Sequence, residues 1–296
     1  ALALAVVGER SYLLYRHADG KMRLAGFDRA LAPLAGFGTA GVVTLSPDAR
    51  PDDGAPPSLR ALTLGGVDQL ACAWPTTASG NTGGFFQRFR ADTGAAVDPA
   101  AISLLFHQST GPQQSLVWNA KVLAQCGVLH GASWQLQLRQ ADDSGAPLGA
   151  GPLTLLDQAA EVRDPALVWD PRSGRYAIVW CDARTVPGGA LWLQFLDGDG
   201  AAQGIAQVVV TPPAAAHLRR PQILCHPAGG YLLAWEDDAQ DGHFDVYLTL
   251  LGHDGLPDGR VPVDAGAGNR PVLRLSDTPG DTQGYALVAD AEGVAV

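Results

Sequence analysis

The chain has 296 residues, a formal net charge of −10 and a hydrophobic fraction of 47%, with 36 Gly and 21 Pro. Nucleic-acid binding needs clustered Lys and Arg, and the only adjacent basic pair is Arg219-Arg220, so we expect no nucleic-acid partner. No apolar run reaches the length of a membrane-spanning helix, whereas the high Gly and Pro content is typical of short strands joined by tight turns.

The predicted elements repeat along the chain as one hairpin-based unit. Leu2–Val7 is the predicted first strand, and an aromatic or apolar anchor closes the second strand of each unit. The anchors are Tyr15, Trp74, Cys126, Trp180, Trp235 and Ala289, separated by 59, 52, 54, 55 and 54 residues. A turn glycine follows Trp74, Trp180 and Trp235 at a constant offset of 20 residues. This regularity predicts an internal structural repeat.

The unit around Trp180 shows four strands in order. An apolar run at 166–169 leads through a turn at 170–174 into a second run at 176–180. A polar loop follows, then a third run at 191–196, a turn at 196–200 and a fourth run at 207–210. Each unit is therefore predicted to be a four-stranded antiparallel sheet.

Sheets of this kind must stack face to face to bury their apolar surfaces, which predicts a β-propeller. We expect one all-β domain over residues 1–296, with six blades and the anchor aromatics between neighbouring blades. Only seven residues follow Ala289, so the last blade is predicted to be incomplete. A five-bladed ring is the main alternative. Helix content should be very small.

Residues 174–204 and 230–259 resemble propeller-like repeats of secreted and surface-exposed bacterial proteins. Their shared pattern is G-Y-x-x-x-W-x-D-x-R followed by L-D-x-x-G, and the match is good over these two units. The resemblance implies a propeller and a location that is extracellular, periplasmic or at the cell surface. It implies no particular activity.

Acidic and basic residues follow the blade tryptophans at fixed positions and are the predicted ligand-binding set. Asp182 and Asp237 stand two residues after Trp180 and Trp235, with Arg184 and Asp238 close behind. One interpretation is a ring of groups that binds a cation or a sugar. The other, which the repetition favours, is that each Asp accepts backbone N–H bonds in the loop after the second strand.

The sequence gives little sign of a metal or cofactor. Asp197 and Asp199 resemble half of a calcium loop, but the remaining ligands of such a loop are missing, and a hairpin turn is the favoured interpretation. The four Cys and seven His show no metal-ligand spacing, so we expect no metal and no cofactor, with calcium as the one alternative.

Because the repeat accounts for most distinctive residues, the sequence favours a non-catalytic platform that binds a protein or a glycan. The alternative is a propeller glycoside hydrolase or lyase that uses Glu236, one of only four Glu, together with Asp182. Strand alternation, however, points Glu236 to the face opposite its neighbours, and a solvated, outward position explains this residue as easily as a catalytic one. A third possibility is an assembly subunit whose incomplete last blade is completed by a partner.

Overall fold

The structure is a computed structural model. It describes residues 2–45, 57–78, 81–107, 115–142, 146–213, 216–238, 242–259, 261, 263–264, 270–276, 285, 287–289 and 294–295. Across these ranges every regular element is a β-strand. Nothing helical in them is long and apolar enough to cross a membrane. The chain divides into two compact units, Ala1–Leu156 and Asp157–Val296.

Three four-stranded antiparallel sheets begin in the first unit, each with its strands in chain order. The first sheet contains β1 (Leu2–Val7), β2 (Arg10–Arg16), β3 (Met22–Phe27) and β4 (Val42–Thr44). The second contains β5 (Ser58–Leu64), β6 (Val67–Ala78), β7 (Asn81–Arg90) and β8 (Ile102–His107). The third contains β9 (Ser115–Trp118), β10 (Leu123–His130), β11 (Trp134–Ala141) and β12 (Leu153–Gln158).

The second unit contains two more four-stranded sheets. The fourth sheet consists of β13 (Val162–Asp170), β14 (Arg175–Asp182), β15 (Ala190–Leu196) and β16 (Ala202–Val210). The fifth contains β17 (Leu218–Cys225), β18 (Tyr231–Asp237) and β19 (Asp245–Leu251), and its last strand comes from further along the chain. Five short strands follow β19 in the described residues. They are β20 (Val263–Asp264), β21 (Arg270–Pro271), β22 (Leu273–Arg274), β23 (Val288–Ala289) and β24 (Val294–Ala295).

The fold class is an all-β propeller of four-stranded antiparallel blades, and the described residues form five such blades rather than six. The six-bladed prediction is therefore wrong, and the five-bladed alternative is confirmed. The reason lies in β22, which pairs with β19 as the fourth strand of the fifth blade. Among the described residues that were assigned to a sixth blade, the strands are β23 and β24, which form a two-stranded ladder.

Large aromatic residues of the second strands lie in the apolar layers between blades. Trp74 is completely buried between the first two sheets, and Trp235 is completely buried between the fourth and fifth. In the first blade Tyr12, rather than the predicted Tyr15, belongs to the core. Alternate residues of a strand face opposite sides, so Tyr12 and Leu14 share the core face of β2 and Tyr15 does not.

The first strands of the fourth and fifth blades, β13 and β17, share a backbone irregularity. The ladder of β13 with β14 shifts between Arg163 and Ala166, and the ladder of β17 with β18 shifts at the equivalent place. At these bulges Asp164 has φ 56° and Arg220 has φ 50°, in the left-handed region that residues other than glycine seldom adopt. Both residues precede a proline. Backbone strain of this kind concentrates at functional sites, so Asp164 and Arg220 are candidate site residues.

Candidate functional site

The bulges place Asp164 and Arg220 side by side in the second unit. The backbone N–H of Arg220 donates to Asp164 Oδ2 at 2.8 Å, and Tyr285 Oη donates to the Arg220 carbonyl at 2.5 Å. Arg219, Arg220 and Glu236 are joined by ion pairs described below. We refer to Asp164, Arg219, Arg220, Glu236 and Tyr285 as the bulge cluster.

Burial raises the pKa of the Asp164 carboxyl above its ordinary value, and this effect is the largest that acts on the group. The N–H bond from Arg220 and the charges of Arg163 and Arg220 oppose it only in part. The residue as a whole is nevertheless only partly buried. A partly accessible carboxyl with a raised pKa is suited to donate a proton to a bound substrate.

Glu236 lies beneath the two arginines. Arg219 Nε donates to Glu236 Oε2 at 2.5 Å, and Arg220 Nη1 donates to Glu236 Oε1 at 3.3 Å. The Glu236 side chain is 0% exposed, whereas those of Arg219 and Arg220 are 27% and 38% exposed. The predicted outward, solvated position of Glu236 is therefore wrong. Every residue of β18 is buried, so both faces of this strand are covered.

The neighbouring cross-strand pair is His217 with Asp238. The His217 N–H donates to Asp238 Oδ1 at 2.6 Å, and His217 Nδ1 lies 2.9 Å from Asp238 Oδ2. Asp238, a predicted ligand-binding residue, thus lies two residues beyond Glu236, past the pair of Leu218 with Asp237. Its carboxylate is engaged by a single, largely exposed histidine.

Asp182 and Asp237 occupy equivalent buried positions beneath the blade tryptophans. The indole N–H of Trp180 donates to Asp182 at 3.2 Å, and that of Trp235 donates to Asp237 at 3.4 Å. Asp182 also accepts the backbone N–H of Arg184 at 2.8 Å and pairs with its guanidinium. The backbone N–H bond to Asp182 is of the kind that the architectural interpretation predicts, whereas the contact described for the Asp237 carboxylate is the one from the Trp235 indole.

Arg184 therefore lies with Asp182, and its guanidinium carbon stacks 3.7 Å from the centroid of the Trp192 ring. No contact joins Asp182 to Glu236 among the described residues, so the predicted catalytic pair is not brought together there. Instead, the bulges bring Glu236 near Asp164 through Arg220.

Among the described residues, the turn at Asp197 and a cavity in the first unit lack the features of a catalytic site. Asp197 accepts the backbone N–H groups of Asp199 and Ala201, which is the geometry of a hairpin turn. Over the described residues, no group of three His, Cys, Asp or Glu side chains could hold a metal ion. In the first unit, a shallow cavity of about 370 Å³ is lined by residues such as Val43, Gln87 and Phe89 and has no ionisable side chain in its lining.

Four residues of the cluster were not predicted as site residues from the sequence: Asp164, Arg219, Arg220 and Tyr285. The signal that points to the first three is the recurrence of Arg163-Asp164-Pro165 as Arg219-Arg220-Pro221, with Asp164 and Arg220 56 residues apart. A proline after a conformationally restricted residue at the same place in two blades marks a backbone feature of the repeat. The second unit holds both copies, and there the Asp164 carboxylate accepts the backbone N–H of Arg220.

No family model and no curated protein sequence matches the chain. Among solved structures, it is similar to an α-L-arabinanase of Penicillium chrysogenum complexed with arabinobiose, with a TM-score of 0.54 and 15% identity over 80% of this chain and 74% of that one. It also matches an endo-arabinase of Bacteroides thetaiotaomicron, with a TM-score of 0.49 and 11% identity over 79% and 85% of the two chains. An α-L-arabinofuranosidase of Lactobacillus brevis matches with a TM-score of 0.47 and 10% identity over 87% and 92%.

At 15% identity the likeness to the Penicillium arabinanase shows the propeller fold. The non-catalytic platform expected from the sequence is not retained, because the solved propeller that this chain matches with a TM-score of 0.54 is an arabinanase. This chain therefore shares a β-propeller fold with that arabinanase.

Proposed function

We propose that the protein is a glycan-cleaving enzyme, a glycoside hydrolase or lyase, with its active site at the bulge cluster. The proposal is carried by the state of Asp164. The residue is only partly buried, its carboxyl has a raised pKa, and its backbone is in the strained left-handed conformation. The resemblance to an arabinanase supports a glycan as the substrate, since the same fold cleaves glycosidic bonds there.

In this proposal Asp164 is the proton donor. Cleavage of a glycosidic bond releases a sugar oxygen that must take up a proton, and a carboxyl group whose pKa is raised by burial is suited to supply it. In hydrolysis a water molecule then adds its oxygen to the anomeric carbon, and its proton restores the carboxyl group. The N–H of Arg220 holds Asp164 Oδ2, which fixes the carboxyl group and leaves its second oxygen available for the substrate. Holding a catalytic group in a fixed position beside the substrate accounts for a large part of the rate gain in enzymes.

Glu236 is a positioning residue. It is completely buried and therefore does not touch a substrate in this structure, but it orients the guanidinium groups of Arg219 and Arg220. This role differs from the one that the sequence indicated, in which Glu236 was paired with Asp182 as a catalytic carboxylate.

The test is turnover on a panel of polysaccharides and oligosaccharides, with detection of both new reducing ends and unsaturated products. Hydrolysis gives only reducing ends, whereas a lyase gives an unsaturated sugar as well. Asp164→Asn should lower kcat by about 10²-fold or more, because general acid catalysis contributes on that order. Asp92→Asn, at an exposed turn carboxylate paired with Arg90, is the matched control and should leave kcat unchanged.

An unchanged far-UV circular dichroism spectrum of Asp164→Asn would show that the fold survives. Two results would overturn the proposal: a panel on which the wild-type protein releases no product, or wild-type turnover in folded Asp164→Asn.

A further inference from the structure

The guanidinium group of Arg219 is held rigidly from two sides. Its Nε donates to Glu236 at 2.5 Å, and its central carbon lies 3.3 Å from the centroid of the Phe244 ring. Stacking on a ring fixes the plane of a guanidinium, and the Nε bond fixes its rotation in that plane. The two terminal nitrogens have no hydrogen-bond partner within the described part of the chain and belong to a side chain that is 27% exposed.

Arg220 is also held in place. Its backbone is fixed by the N–H bond to Asp164 and by the Tyr285 hydroxyl on its carbonyl, and its Nη1 contacts Glu236. Its Nε and Nη2 have no partner among the residues that the structure describes, and its side chain is 38% exposed. Both arginines therefore present unused N–H donors at the surface of the cluster.

The charges of this group are unequal. Two arginines share the single carboxylate of Glu236, which is completely buried, so Arg219, Arg220 and Glu236 together carry one surplus positive charge. The Asp164 carboxyl lies beside Arg220, and burial raises its pKa, which favours its neutral form. The neighbouring carboxylate of Asp238 is engaged by His217. A pre-organised positive site stands out in a protein of net charge −10, and it favours an anion.

We propose that Arg219 and Arg220 bind the carboxylate of a uronic acid unit in the glycan substrate. The planar donor fork of arginine matches the two oxygens of a carboxylate. A bound carboxylate beside Asp164 also favours the protonated form of that residue, which is the form that donates a proton. This inference rests on the proposed function only for the cleavage step, because binding of the acidic sugar follows from the arginines themselves.

Binding and cleavage are tested separately. Binding of galacturonate oligomers and of neutral galactose oligomers of the same length is measured by calorimetry or by chemical-shift changes. We expect the acidic oligomers to bind at least about 10-fold more tightly, as charge-assisted bidentate hydrogen bonds allow. Arg220→Lys keeps the charge beside Glu236 but removes the fork, and should lose most of that preference while remaining folded.

The control is Arg29→Gln, which removes an arginine whose pair with Glu9 is largely exposed, and it should leave the preference unchanged. Sulfated galactose oligomers distinguish carboxylate recognition from general attraction of anions, and equal binding of sulfated and carboxylated oligomers would overturn the inference. Equal binding of acidic and neutral oligomers, or an unchanged preference in folded Arg220→Lys, would overturn it as well.

Cleavage of the same oligomers separates this inference from the proposed function. Turnover of neutral glycans without any preference for acidic ones would refute the uronate site and leave the glycan-cleaving proposal intact. Arg220-dependent binding of galacturonate oligomers without turnover of any glycan would support the uronate site and refute the enzymatic proposal.

Discussion

The ion group of Arg219, Arg220 and Glu236 predicts an asymmetry between removing the acid and removing the bases. In Arg219→Gln/Arg220→Gln, the Glu236 carboxylate stays 0% exposed with no positive partner in the group. Breaking a buried pair in this way costs about 3–5 kcal/mol of unfolding free energy. Glu236→Gln instead leaves two guanidinium groups that water can reach, and it keeps a carbonyl acceptor, so we expect a loss of about 1–2 kcal/mol.

The decisive variant combines all three substitutions. Adding Glu236→Gln to the double arginine variant removes the uncompensated charge, so stability should rise by about 2 kcal/mol instead of falling further. The assay is urea unfolding followed by tryptophan fluorescence, with the m-value checked for constancy. If the triple variant is less stable than the double variant by the full cost of Glu236→Gln alone, the reasoning about charge compensation is refuted.

Three further predictions concern buried groups. Asp182→Ala and Asp237→Ala should each lower the free energy of unfolding by about 2 kcal/mol in urea, since each removes a buried carboxylate that holds a tryptophan indole. Burial raises the pKa of Asp164, so its charged form destabilises the folded state; Asp164→Asn should gain stability over wild type as pH rises above about 4, and the gain should vanish below that. Thermal unfolding across pH measures this, and a gain confined to acidic pH would contradict it. Burial also raises the pKa of Cys181 to about 12 and that of Cys225 to about 11, so Ellman's reagent should react with both only after unfolding, and rapid reaction in native buffer would contradict this.

The blade itself could be predicted from the sequence, because the tryptophan at the end of the second strand and the glycine 20 residues later recur with the sheet. Even a defect in the pattern has a structural counterpart. The sequence has Thr76 where Trp180 and Trp235 are followed by aspartates. The buried indole nitrogen of Trp74 accordingly has no hydrogen-bond partner within the described ranges.

The number of blades could not be predicted in the same way. A hairpin repeat shows where two strands meet, but it does not show which sheet a later, isolated strand joins. Leu273–Arg274 pairs with β19 of the fifth blade, and this pairing depends on long-range backbone bonds that leave no local pattern. A strand of two residues is also too short for its periodicity to be recognised.

The position of Glu236 shows the same limit for the candidate site. Alternation correctly separates it from Trp235, whose side chain lies in the core between the fourth and fifth blades. It does not follow that the other face of the strand is solvated, because Leu232 and Ala234 on that face pack against Leu287. In a blade covered on both sides, a charged residue needs partners inside the protein, and Arg219 and Arg220 are those partners.

Asp164 and Arg220 show how a repeat can carry a unique site. Their left-handed backbone and the following proline are common to two blades, so the conformation belongs to the architecture. Their side chains differ in charge, and the 2.8 Å bond from the Arg220 N–H to Asp164 exists because the two bulges lie next to each other. A left-handed conformation costs more for arginine than for glycine or aspartate, so backbone geometry alone does not account for Arg220. The Arg220 guanidinium is paired with Glu236 and partly exposed beside Asp164, and a ligand-binding role explains why an arginine occupies this position.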